Sequence, residues 1–246
     1  MDSSITSYAL QYVGYLVEGG VVFYLVWSSE WKRLRAVAFY LTSLLAAELG
    51  RAYAVHKYGL ASRQYYAVYW SSDFLLVISA FLLVSLFFRR ACLREEKMRR
   101  FIGLFLLFTF ILVTAISTFT FTHNYRHLFF TYFIIEFNQN LYFTCLVLNT
   151  LLYLLLQYIE STDDQLGLLV CGMGIQFAGP AATLALVHLT AGERFARSLN
   201  SSIMSLCTLG MLLVWAYAIV HVKDKATRVT RREAPALAEV TASSNV

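Results

Sequence analysis

The chemistry this sequence offers lies in a few ionisable side chains set into long apolar runs. Glu48 and Arg51 stand three apart in AFYLTSLLAAELGRAYA, so a helix places them on one face, within pairing reach. Asp73 interrupts AVYWSSDFLLVISAF about two turns inside its hydrophobic stretch. In TYFIIEFNQNLYF, Tyr132, Glu136 and Asn140 recur at spacing four and share a helical stripe, with Gln139 at its border. His188 closes the run LGLLVCGMGIQFAGPAATLALVHL, whose middle carries Gln176, and Glu18 sits in YLVEGGVV with no evident partner. A carboxylate in hydrocarbon costs at least about 2.5 kcal/mol. Three carboxylates, Glu48, Asp73 and Glu136, therefore face a single arginine, and the surplus needs a proton, a cation or water. Such a set can tie helices together or hold a small ligand or ion in a wet pocket. Through Asp73, Glu136 and His188 it could also move protons.

The elements that hold these residues follow from composition. The chain of 246 residues is 59% hydrophobic and only 14% charged, with a mean hydropathy of +0.59. Soluble domains are nearer about 25% charged. The apolar residues come in seven blocks, 5–27, 34–54, 66–88, 101–121, 129–158, 166–189 and 199–221. Each matches the roughly 20 residues that an α-helix needs to cross about 30 Å of hydrocarbon. The blocks lack the apolar/polar alternation of barrel strands, and the chain has only two prolines, Pro180 and Pro235. The expectation is an all-α membrane protein, a seven-transmembrane-helix bundle over 1–222, followed by a disordered tail over 223–246. The first block contains Glu18, has no basic segment before it and no small-residue cleavage site after it. It is therefore expected to be a first span and not a removable signal peptide.

Basic residues orient the bundle. The loops after blocks 1, 3 and 5, with the tail, carry fourteen lysines and arginines, against five on the other side. The positive-inside rule places the N-terminus outside and the C-terminus in the cytoplasm. Glu48, Arg51, Trp70, Asp73, Glu136, Asn140 and His188 then converge on the outer half of the bundle from four helices. The sixth block adds Gly167, Gly172, Gly174, Gly179 and Pro180, which suits close helix packing and a kink.

Several functions are set aside. The net charge of +5 describes a collar that meets anionic lipid headgroups on the cytoplasmic side, not a nucleic-acid site. The four cysteines form no C-x-x-C pair and no disulfide framework. The five lysines, Lys32, Lys57, Lys97, Lys223 and Lys225, all fall outside the blocks, so a covalent retinal pigment is excluded. No G-x-S-x-G, H-E-x-x-H or P-loop occurs. His123 and His127, four apart, have metal-compatible spacing, but two interfacial histidines beside Arg126 read more simply as headgroup-level polar residues. No metal or other cofactor is expected.

The basic start WKRLRAVAFYLTSLL, the aromatic loop after it and YYAVYWSSDFLLVISAF together resemble a family of bacterial seven-helix inner-membrane proteins. In that family a Tyr-Trp pair precedes a small residue and an acid at the start of the third span. Tyr69, Trp70, Ser72 and Asp73 match those positions, with Asp73 where glutamate is commoner. The match covers about a third of the chain; it implies topology and brings no activity with it. The functional expectation is a non-catalytic sensory or accessory module with an outward-facing polar pocket, acting through a protein partner. The alternatives are a small transporter or transporter subunit, with Gln176 and the kinked sixth helix in its pathway, and a membrane-embedded enzyme acting on lipid.

Overall fold

Backbone amides in hydrocarbon have only each other to bond with, so apolar runs of this length settle as helices. The computed structural model describes residues 2–28, 31, 33–60, 62–92, 96–124, 129–159, 163–189 and 203–221, and the regular structure among them is helical. In chain order the helices are α1 Asp2–Trp27, α2 Arg35–Tyr58, α3 Arg63–Ala91, α4 Glu96–Asn124, α5 Phe129–Tyr158 and α6 Asp164–Leu189, with α7 Ile203–His221. Among the described residues, α3, α4, α5 and α7 carry stretches long and apolar enough to cross a membrane. A shorter apolar stretch, Val13–Trp27, lies in α1. The tail over 223–246, Arg126, His127, Arg194 and Arg197 lie outside the described residues.

Helix α3 is the hub. It packs on α2, α5, α4 and α6, while α1 rests on α2, and α5 also contacts α4 and α6. Its buried side chains include Val77, Ala80, Leu83 and Val84. An aromatic ladder runs across three helices: Phe81 meets Phe110, Phe110 meets Phe137, and Phe137 meets Phe74. Helix α4, by contrast, leaves Phe101, Leu104, Phe105, Phe108, Ile111 and Phe119 exposed. An apolar face of that extent is unsuited to water and fits a multi-pass membrane protein.

The turn between α2 and α3 sets the register of the acidic residues. Gly59 ends α2 at φ +76°, a left-handed conformation that glycine adopts without a Cβ clash, and its N–H donates to Val55 O at 2.9 Å. Ser62 then caps α3, accepting a bond from Tyr65 N at 3.1 Å. At 1.5 Å per residue, Arg51 and Asp73 fall roughly 12 and 16 Å from this turn along antiparallel helices. A long arginine side chain spans that offset.

Helices α6 and α7 meet through small residues, as the glycines of the sixth block lead one to expect. A Cβ on Gly172 would come within 2.5 Å of the Trp215 ring, and one on Gly179 within 3.1 Å of Cys207 Sγ. Gly167 has nothing within 4 Å, so it plays no such part. Trp215 is fully buried and donates from Nε1 to Leu169 O at 2.9 Å. Nearby, Asn149 Nδ2 donates to Val170 O at 3.1 Å.

The bundle end formed by the α3 C-terminus and the α6 N-terminus has its own clasp. Arg90 Nη2 lies 2.8 Å from Asp163 Oδ2, Arg90 Nε donates to the same oxygen at 3.0 Å, and Nη2 donates to Gln165 Oε1 at 3.3 Å. The other carboxylate oxygen, Asp163 Oδ1, accepts from Leu166 N at 3.1 Å, so the acid caps α6 while it holds α3.

Candidate functional site: an acidic chamber

Toward the opposite end, a chamber of about 170 Å³ opens between α1, α2, α3, α5, α6 and α7. Its ionisable walls are Glu18, Glu48, Arg51 and Asp73, and Tyr40, Tyr142, Gln176, Ser205 and Thr208 add polar groups. That volume holds several waters and is polar enough to retain them. It suits a hydrated ion or a small organic solute better than a bulky one.

Helix α2 contributes Tyr40, Leu44, Glu48 and Arg51, a face repeated at i, i+4, i+8 and i+11 and therefore continuous along the helix. Arg51 turns from this face to α3. Its Nη2 lies 3.4 Å from Asp73 Oδ1, its Nε donates to Ser72 Oγ at 2.7 Å, and its guanidinium sits 4.6 Å from the centre of the Tyr69 ring. Ser72 in turn donates to Tyr69 O at 2.8 Å, which points its lone pairs toward Arg51. The second oxygen of Asp73 accepts from Asn138 Nδ2 on α5 at 2.7 Å. Asp73 is thus paired with a cation and hydrogen-bonded by an amide, and its side chain is 22% exposed.

Glu18 and Glu48 are treated differently. Neither makes an ion pair within 4 Å among the described residues. Glu18 is 1% exposed, and its Oε1 is buried without a hydrogen-bond partner, as is Gln176 Oε1. Asp73 consumes the one guanidinium, so two carboxyls and an amide oxygen remain to face the chamber. Among the described residues no three His, Cys, Asp or Glu side chains converge tightly enough to chelate one metal ion. What the walls offer instead is a spread of acceptor oxygens suited to a donor-rich cation.

The far wall bears on how the chamber could work. Tyr40, 4% exposed, packs edge-on against Trp215 at 5.9 Å between ring centres. Behind them Leu41, Leu169, Met211 and Leu212 are fully buried. On this side the chamber is bounded by the Tyr40 ring, which rests on Trp215.

Of the residues expected to form a pocket, Glu48, Arg51 and Asp73 come together in this chamber. Arg51 reaches Asp73 and not Glu48, because its own helix directs it toward the α3 side. Trp70 does not line the chamber and instead stacks edge-on with Tyr69 at 5.3 Å. Glu136 and Asn140 do not line it either. Asn140 donates to Ser117 Oγ on α4 at 3.0 Å, so that residue of the stripe is turned to α4, while the side chain of Tyr132 lies outside the described residues. Asn138 lies roughly 200° around the helix from Glu136 at about 100° per residue, which is why it, and not the striped residues, meets Asp73. The side chains of His188 and His123 lie outside the described residues. Glu18, noted in the sequence without a partner, joins the chamber, and Asn138 is the contact of Asp73 that the sequence did not single out.

The chain matches no protein-family model, no curated protein and no solved structure. Function must therefore be argued from the chamber itself.

Proposed function

We propose that this is a seven-span inner-membrane protein, N-terminus outside, whose acidic chamber binds a small cationic solute from the outer side. It acts as a sensory or accessory module and not as a catalyst. The observation that carries the reading is the surplus of acid in the chamber, where among the described residues Glu18 and Glu48 make no ion pair within 4 Å while Arg51 is committed to Asp73. Unpaired buried carboxyls cost several kcal/mol each if charged, and a cation that supplies N–H donors offsets that cost. Signalling would run through a protein partner engaged by the tail or by the basic loop after α3.

Two experiments test this. Purified protein should melt at a higher temperature with methylammonium or guanidinium than with choline, whose quaternary nitrogen has no N–H to donate. Reconstituted vesicles should show no flux of the same cations above empty vesicles. Flux would move the reading to a transporter, and indifference to all three cations would remove the binding reading. For orientation, a cysteine introduced as Ser62→Cys in the α2–α3 turn should react with an impermeant thiol reagent on intact cells. Labelling only after permeabilisation would invert the topology.

A further inference from the structure

A second cavity, about 570 Å³, lies on the other side of α3, between its C-terminal half and the N-terminal half of α4. Its mouth is basic. Arg89 comes from the last turn of α3, and Arg99 and Arg100 come from the start of α4. The single acid there, Glu96, is largely exposed and only 4.0 Å from Arg99, so it offsets one charge weakly. Below the mouth the walls are apolar: Ile78, Phe81, Leu82, Leu106, Leu107 and Phe110. From the arginines to Ile78 and Phe110 the groove runs roughly 15 Å at 1.5 Å per residue. That is the depth of one leaflet of a hydrocarbon core about 30 Å thick.

Two details make this a built groove and not a loose seam. Ser85 Oγ lines the cavity just below the arginines, buried and without a hydrogen-bond partner. Gly103, also on the wall, is exposed, and a Cβ placed there would meet nothing within 4 Å. A glycine in a helix interior costs about 1 kcal/mol relative to alanine, and no close helix contact demands it here. What its missing side chain does is keep the groove open.

We propose that this groove seats one anionic phospholipid. Its phosphate is held by Arg89, Arg99 and Arg100, its glycerol or ester oxygens meet Ser85, and one acyl chain lies along Phe81, Leu107 and Phe110. The site requires α3 and α4 to stand in a bilayer but does not depend on the acidic chamber. Charge complementarity selects the headgroup, since three guanidiniums face a phosphate and neutral zwitterionic lipids carry their own cation.

The test uses the full chain purified in a neutral detergent, with phosphatidylglycerol as probe, phosphatidylcholine as the zwitterionic control and inorganic phosphate as the soluble one. Lipid retention is read by native mass spectrometry and melting temperature in parallel. Phosphatidylglycerol should be retained and stabilising, phosphatidylcholine should be displaced easily, and inorganic phosphate should not compete. Neutralising Arg89, Arg99 and Arg100 to Gln should weaken retention on the order of a hundredfold, at about 1 kcal/mol per cation. Gly103→Leu, which fills the groove without disturbing charge, should weaken it about tenfold. Arg33→Gln with Arg35→Gln, exposed cations at the same end of the bundle, should change nothing. Equal retention of both lipids, or full retention by Gly103→Leu, would reduce the groove to part of a diffuse basic collar. Competition by inorganic phosphate would replace the lipid with a phosphate site.

Discussion

Two arginine–aspartate pairs bridge helices among the described residues, and they end very differently. Around Arg90 everything is accounted for: two nitrogens reach Asp163 and Gln165, and the remaining carboxylate oxygen caps α6. Around Arg51 the pair with Asp73 is equally built, with Ser72, Tyr69 and Asn138 completing it. Yet Glu18 and Glu48 stand in the same chamber with no ion pair within 4 Å among the described residues. A structural clasp closes its hydrogen-bond account locally. The chamber does not, and the difference separates a lock from a site.

The comparison can be broken by mutation, beginning where the effect should be largest. Arg51→Ala leaves Asp73 beside two further acids with no cation, and should destabilise by about 3 kcal/mol in a thermal or denaturant melt. Asp73→Asn should cost nearer about 1 kcal/mol, because an amide oxygen can still accept from Asn138. If Asp73→Asn were as damaging as Arg51→Ala, the chamber would be a closed knot like the Arg90 clasp. Next comes Gly172→Ala, whose Cβ would press the Trp215 ring. A loss of about 2 kcal/mol is expected from overpacking, together with a disturbed Tyr40 wall that shows as altered cation response. Asp163→Ala removes both a cap and a partly exposed ion pair, and should cost about 1–2 kcal/mol while leaving cation response intact. Smallest of all, Glu18→Gln should shift the melt by less than about 0.5 kcal/mol in cation-free buffer or raise it slightly, since an unpaired acid is being removed.

Much of the frame was legible in advance. Apolar blocks of membrane-spanning length announced the helices within a few residues, and the cost of acids in hydrocarbon singled out Asp73 and its partner Arg51. What could not be read was the azimuth of each helix. The 132/136/140 stripe is a sound amphipathic pattern, but its Asn140 bonds Ser117 on α4, and Asn138, off the stripe, meets Asp73. Glu18 was placed on its helix but not against a neighbour, because spacing within one helix says nothing of which helix stands beside it. The Arg90 clasp was also unforeseen, although Asp163, three residues before the apolar run that begins at Leu166, carries the signature of a helix cap. The packing behind Tyr40 depends on Gly172 meeting Trp215, a long-range contact between residues far apart in sequence.

The central claim is that the two uncommitted carboxyls make the chamber a cation site, and equilibrium dialysis of labelled methylammonium tests it most directly. The wild-type protein should show one saturable site per chain, lost when Glu18 and Glu48 are both changed to Gln and kept when Arg90 is changed to Gln. Absence of saturable binding in the wild type, or equal binding by the Glu18→Gln, Glu48→Gln double variant, would contradict it.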